Sequence, residues 1–276
     1  MTGWMPGVAA LGAGLVLTPL VRRLARGTGA VSDPDRLRYY SGRRPLLGGM
    51  MVAVAFWLGV LWLIQSEGGL EGDRVYSPEA SWAMLHALFW ATFFLVLSTS
   101  AADLRNHTGY YEWLYVLGSA VFISCNNIQI ESLSVPLLGT IELGWGKILV
   151  TVIWIVIVVS MVEVLESFGG LVTNIPLLAA CAYFFFRARG GEVLVPALAV
   201  AFIGSLVGFL PWHWGKNGIL LGKAGNKVVG FLFAAITIVA RHKATTTEFL
   251  LIPFAVIVLY VALNNVVELE RRVGLR

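Results

Sequence analysis

The residues best suited to chemistry in this chain are ionisable side chains at the ends of long apolar segments. Asp103 follows one such segment, and Glu163 and Glu166 close another at a spacing that places both on one helix face. Lys223 and Lys227 lie in a Gly-rich stretch that follows a third segment. Carboxylates can hold a divalent cation, and basic residues at a membrane edge can hold an anionic head group. The pattern therefore predicts a polar site at one edge of a membrane.

Glu163 is the most informative of these residues because it lies inside the continuous apolar run 148–165. A carboxylate in such a run is expected to face the bundle interior and to have a partner there. Lys223 and Lys227 are the candidate partners for Glu163 and Glu166. The alternative is that charged groups at the rim of a bundle simply extend into water.

The elements that must position these residues are apolar helices. Hydrophobic residues make up 58% of the 276 residues, whereas charged residues make up only 13%. A bilayer core of about 30 Å needs roughly 20 helical residues to cross it. The sequence thus predicts an all-α, polytopic helical bundle forming a single transmembrane domain over residues 1–276. Nine spans are expected, near 4–21, 46–65, 79–101, 112–128, 145–165, 169–186, 193–211, 226–240 and 248–267.

The distribution of basic residues predicts how the bundle is oriented. An outside N-terminus and an inside C-terminus place most of the 20 Lys and Arg residues on the cytoplasmic side, as the positive-inside rule requires. The Arg-rich loop 22–49, which contains Arg38, then lies inside, where it either serves as an ordinary topological anchor or binds anionic lipid. Nucleic acid is excluded as a partner because the basic residues occupy short loops beside apolar segments.

Three stretches carry a resemblance to a known family. They are SDPDRLRYYSGRRPLLGG at 32–49, the stretch 138–171 that ends in SMVEVLESFGGL, and GFLPWHWGKNGILLGKAGNKVVGF at 208–231. In order, they resemble three cytoplasmic loops of the polyprenyl-phosphate N-acetylhexosamine-1-phosphate transferases, the glycosyltransferase 4 family. The positions that match as loop structure are Pro45, Gly48, Gly49, Gly170, Gly222 and Gly225.

The resemblance implies a fold and a membrane, but it departs from the family at the acidic positions. Members use Mg²⁺ to move a sugar phosphate from a UDP-sugar onto a lipid phosphate at the cytoplasmic face of the bacterial inner membrane. Lys223 stands where the family has a metal-binding Asp, and Asp103 is the best match to an Asp pair. An ammonium has no lone pair and repels a metal ion. The resemblance also implies that the chain is shortened at its C-terminus.

These features predict a catalytically inactive family member that serves as a structural or lipid-binding subunit of a membrane complex. Lys223 would contact a lipid phosphate in place of the metal, with Arg38 or Lys227 adding charge, and no cofactor would be needed. The expected partners are a membrane lipid such as polyprenyl phosphate and other membrane protein subunits. One alternative is an active transferase that holds Mg²⁺ through Asp103 and Glu166, with Glu163 as a further catalytic carboxylate. A lipid carrier or transporter is the second alternative.

Overall fold

The computed structural model describes seven α-helices, one short β-hairpin and two 3-10 helices, Leu70–Gly72 and Gly144–Gly146. The described part of the chain comprises residues 3–31, 44–66, 70–73, 75–104, 110–135, 139–166, 192–213 and 218–240. The helices are α1 (Met5–Gly27), α2 (Gly48–Gln65), α3 (Pro78–Leu104), α4 (Tyr110–Cys125), α5 (Lys147–Glu166), α6 (Leu194–His213) and α7 (Gly222–Ala240). The hairpin, β1 (Ser132–Val135) and β2 (Gly139–Glu142), connects α4 to α5.

Each predicted span that falls in the described residues coincides with one of these helices. Five of them, α1, α2, α3, α5 and α6, are long and apolar enough to cross a membrane, while α4 and α7 contain shorter apolar helices. The predicted spans at 169–186 and 248–267 lie outside the described residues. The helical, membrane-type character of the chain is therefore confirmed.

The β-hairpin is the one departure from the all-α prediction in the described residues. Its strands are antiparallel, with Ser132 opposite Glu142 and Val135 opposite Gly139. The β-branched residues of this segment favour extended backbone. The backbone N–H of Ile130 donates to Oγ1 of Thr151 at 2.8 Å, which ties the approach to the hairpin to the first turns of α5.

Small residues bring α1 and α6 into close contact. A Cβ added to Gly208 would lie 2.7 Å from the carbonyl oxygen of Leu11 and 3.0 Å from Cα of Gly14. One turn earlier on α6, Gly204 packs in the same way against the backbone of Gly7. Small residues spaced four apart allow membrane helices to approach closely, where dispersion forces and Cα–H contacts hold them.

Helix α7 occupies the middle of the bundle. Its residues from Asn226 to Val239 are all buried, and the helix packs against α5, α3 and α2. Most of these residues are apolar, which suits a core helix, and the buried polar ones are Asn226, Lys227 and Thr237. By contrast, α3 presents an outward face of large apolar side chains that is typical of a lipid-facing surface: Trp90, Phe93, Phe94 and Leu97.

The described loop segments meet at two ends of the bundle. At the first, hereafter the site end, the chain before α2 pairs with the chain before α7. At the opposite end, Asp73 accepts hydrogen bonds from the backbone N–H groups of Val193 (3.1 Å) and Leu194 (2.8 Å), and the Tyr76 hydroxyl donates to the carbonyl of Val239 at 2.7 Å. The described segments before α2 and α7 thus meet at one end, and those before α3 and α6 meet at the other.

Candidate functional site

The site end is built on a close approach between the starts of α2 and α7. The N–H of Gly48 donates to the carbonyl of Leu220 at 3.1 Å, and the N–H of Gly49 donates to the carbonyl of Leu221 at 3.3 Å. A Cβ added to Gly225 would lie 2.8 Å from the nitrogen of Gly49. The two backbones touch, so a side chain at either glycine would separate the helices.

Contacts with Pro45 and with His213 fix the turn that leads into α7. Leu220 donates its N–H to the carbonyl of Pro45 at 2.9 Å, and Nδ1 of the buried His213 lies 3.1 Å from the carbonyl oxygen of Ile219. Gly222 then begins the helix with a φ of 79°, a left-handed conformation that glycine adopts without strain. These contacts fix the position of the start of α7 relative to α2.

Lys227 is the central polar residue of the site. Its Nζ lies 2.6 Å from Oε2 of Glu112 and 3.2 Å from Oε1 of Glu163, and the ammonium sits 5.5 Å from the ring centre of Trp113. The Lys227 side chain is 2% exposed and that of Glu112 is 3% exposed, whereas that of Glu163 is 33% exposed. One lysine thus joins α7 to α4 and α5 through two ion pairs. Hereafter Lys227, Glu112 and Glu163 are called the ion-pair cluster.

The placement of the cluster follows from the helices that carry it. Glu112 lies in the first turn of α4, where the helix dipole stabilises a carboxylate. Glu163 lies in the last turn of α5, where the dipole disfavours one. Lys227 lies in the buried stretch 226–239 of α7 and therefore needs a partner, because an isolated charge is costly to keep out of water.

The structure brings together several of the residues singled out in the sequence and leaves others outside its description. Lys227 and Glu163 are in contact, which is one of the pairings that the sequence left open. Pro45, Gly48, Gly49, Gly222 and Gly225 all lie at the same end of the bundle. Only Pro45 lies in a loop as predicted; the four glycines lie in the first turns of α2 and α7. Arg38 and Gly170 lie outside the described residues, as do the side chains of Asp103, Glu166 and Lys223.

Glu112 is the residue that the sequence analysis missed. It forms the shorter ion pair of the cluster and is almost completely buried. The sequence does contain a sign of it, since Glu112 is a single carboxylate at the first residue of the predicted span 112–128. Such a residue at the end of a span is easily assigned to the water interface, and only the packing of α4 against α7 shows otherwise.

The side chains of Asp103 and Glu166, which the sequence analysis named for Mg²⁺, lie outside the described residues, so only the remaining acidic groups can be compared with the donor set that the resemblance implies. The described residues contain no group of three His, Cys, Asp or Glu side chains that could hold a metal ion. The two carboxylates that do converge share the ammonium of Lys227. Mg²⁺ prefers an octahedral set of oxygens, and a bound ammonium between two carboxylates occupies the position that a cation would need.

Comparison with known proteins gives the same family. The profile of the family described as Glycosyl transferase family 4 matches residues 85–241. The chain is 24% identical over 244 residues to the probable undecaprenyl-phosphate N-acetylglucosaminyl 1-phosphate transferase of Bacillus subtilis (strain 168), covering 88% of this chain and 64% of that protein.

Two phospho-N-acetylmuramoyl-pentapeptide-transferases are also similar. The protein from Latilactobacillus sakei is 23% identical, with 72% of this chain and 62% of that protein covered. The protein from Limosilactobacillus fermentum is 25% identical, with 72% and 61% covered. The chain thus spans a little under two thirds of the length of these curated relatives.

The chain belongs to glycosyl transferase family 4, because the family profile matches more than half of it. Together with the five apolar helices, this membership confirms the prediction of a multi-pass bacterial inner-membrane protein.

Proposed function

We propose that this chain is a non-catalytic member of glycosyl transferase family 4 that acts as a structural or lipid-binding subunit in the membrane. The observation that carries the proposal is the ion-pair cluster. At the site end, where the resemblance places metal-binding acids, the buried charge on α7 is an ammonium held by two carboxylates. Phosphoryl transfer from a nucleotide sugar needs a metal ion to neutralise the diphosphate, and these groups do not supply its ligands.

The lipid partner that we propose is a polyprenyl phosphate. The Bacillus subtilis relative is named for undecaprenyl phosphate, and the loop 22–49 supplies the positive charge that such a head group needs. Lys223 precedes Lys227 by one helical turn on α7, and we assign it with Arg38 and Lys227 to the phosphate. Other membrane protein subunits are the second class of partner in this proposal.

The topology that we propose has nine spans, an outside N-terminus and an inside C-terminus. Its support is the grouping of the loops: those before α2 and before α7 meet at the site end, and those before α3 and before α6 meet at the opposite end. The site end is then cytoplasmic, which is where the basic residues are concentrated.

A release assay tests the absence of catalysis. Purified protein is incubated with UDP-N-acetylglucosamine, undecaprenyl phosphate and Mg²⁺, and UMP is measured over time beside a related transferase as a positive control. No release above the protein-free rate is expected. Release that Glu166→Ala or Asp103→Ala abolishes would instead establish an active transferase using those carboxylates for Mg²⁺.

A lipid analysis tests the binding role. Wild type and Lys223→Glu are purified in parallel, and the polyprenyl phosphate that copurifies is measured by mass spectrometry. The variant is expected to lose most of this lipid, because an anion replaces a cation beside the phosphate. Lys147→Glu, at the other end of α5, is the matched control. Equal lipid content in wild type and Lys223→Glu would refute the assignment of Lys223.

A further inference from the structure

The two carboxylates that hold Lys227 are not equivalent. Glu112 lies 2.6 Å from Nζ and its side chain is enclosed, whereas Glu163 lies 3.2 Å from Nζ with a third of its side chain exposed. Removing Glu112 would break a fully enclosed pair, whereas the carboxylate of Glu163 is partly open to water, which weakens its attraction to Lys227 and lets water replace it. Glu112 is therefore the permanent partner of Lys227, and Glu163 is the partner that another anion can replace at small cost in free energy.

The helix positions reinforce this difference. The first turn of α4 stabilises Glu112, and the last turn of α5 destabilises the charge of Glu163. Glu163 is farther from Nζ of Lys227 than Glu112 is, its side chain is more exposed, and the helix dipole disfavours its charge. A competing anion would therefore displace Glu163 rather than Glu112.

We propose that Glu163 is an internal substitute for a lipid phosphate and that phosphate binding displaces it from Lys227. This inference rests on the proposed function, since it takes a lipid phosphate as the ligand. An oxygen of a phosphate monoester replaces Oε1 of Glu163 on Nζ, while Glu112 keeps its contact. The exchange swaps one anion for another, so the buried ammonium stays paired throughout. The Glu163 contact is therefore autoinhibitory, and only an anion that binds Lys227 better can open it.

The test compares binding of farnesyl phosphate with that of farnesol, its uncharged counterpart, to detergent-solubilised protein. Glu163→Gln keeps the shape of the side chain and removes the competing charge, so farnesyl phosphate is expected to bind about tenfold more tightly than to wild type. Farnesol binding should not change. Lys227→Met should abolish the preference for the phosphate over the alcohol.

Two controls complete the design. Glu142→Gln removes an exposed carboxylate from β2, at the opposite end, and should leave both affinities unchanged. Inorganic phosphate as the probe separates a lipid site from a free-phosphate site: competition at concentrations near those of farnesyl phosphate would assign the cluster to free phosphate and overturn the lipid assignment.

Equal affinity of wild type and Glu163→Gln for farnesyl phosphate would refute the exchange. So would a phosphate preference that survives in Lys227→Met. If Lys227→Met does not fold, the double variant Lys227→Met with Glu112→Gln replaces it. The double variant removes the buried cation together with its buried anion, so no unpaired charge is left at position 112. The binding assay and the UMP assay can fail separately. Release of UMP would overturn the non-catalytic role, whereas the exchange is judged by the affinities of Glu163→Gln and Lys227→Met for farnesyl phosphate.

Discussion

The ammonium of Lys227 lies 2.6 Å from the carboxylate of Glu112, a residue 115 positions away in the chain. The contact joins the central helix α7 to α4, and Glu163 extends it to α5 at 3.2 Å. Three helices of the bundle are thus connected at the site end by one buried cation.

Removal of that cation should destabilise the protein strongly. Lys227→Met leaves Glu112 buried without a partner, which costs about 3–5 kcal/mol in comparable buried pairs. The expected result is a large drop in thermal midpoint, measured in detergent by fluorescence-detected size exclusion.

Its control is the double variant Lys227→Met with Glu112→Gln. Because no buried charge is then left alone, the double variant should recover much of the lost stability. Lys147→Met, which changes a lysine outside the cluster, should stay near wild type. A Lys227→Met variant as stable as wild type would show that the ion-pair cluster does not contribute to stability.

Asp73 should be the most sensitive polar residue at the opposite end. Its Oδ2 accepts from the N–H groups of Val193 and Leu194 at the start of α6, and its Oδ1 accepts from those of Val75 and Tyr76. Asp73→Asn turns one oxygen into a donor that faces other donors, so even this isosteric change should cost about 1–3 kcal/mol. Thermal unfolding measures the loss.

The exposed neighbour Glu71 provides the comparison. Glu71→Gln changes the same charge two residues away and is expected to lie within about 0.5 kcal/mol of wild type. Equal midpoints for Asp73→Asn and Glu71→Gln would contradict the capping role of Asp73.

The α1–α6 crossing should discriminate between two Gly→Ala substitutions. Gly208→Ala places a methyl group 2.7 Å from the carbonyl oxygen of Leu11, so the helices must separate, at a cost of about 1–3 kcal/mol. At Gly12 an added Cβ meets no atom of the described residues within 4 Å, and Gly12→Ala should be neutral or stabilising through helix propensity. Comparison of the two thermal midpoints tests the packing; similar effects would argue against it.

Tyr76 should make the stability of the protein sensitive to alkaline pH. Burial raises the pKa of its phenol above the usual range, and the nearby carboxylates of Asp73, Glu192 and Glu131 raise it further. Because the folded state favours the neutral phenol, this contribution is complete below the unfolded pKa of about 10 and is lost as the pH rises above it.

Tyr76→Phe isolates that contribution. It removes the hydrogen bond to Val239 and should cost about 1 kcal/mol near neutral pH. Above pH 10, wild type should lose stability faster than the variant, measured as thermal midpoint against pH. Parallel curves for the two proteins would show that Tyr76 does not titrate in this way.

The sequence by itself determined the class of this protein. Apolar runs long enough to cross a bilayer predicted each helix of the described part, because the bilayer allows little else than a helix. The glycines at 48, 49, 222 and 225 could be picked out because they match a family pattern, but the pattern assigned them to loops, whereas they lie in the first turns of α2 and α7. The length of an apolar run is a local property of the sequence, and the glycine positions follow from the resemblance to the family, so neither needs a long-range contact.

Tertiary structure decided the chemistry of the site. The spacing of Glu112, Glu163 and Lys227 in the sequence does not indicate that their side chains are in contact, because they belong to three separate helices. Whether a charge at the end of a helix meets water or another charge depends on what packs over it. The central position of α7 buries Lys227, and that burial makes two distant carboxylates its partners.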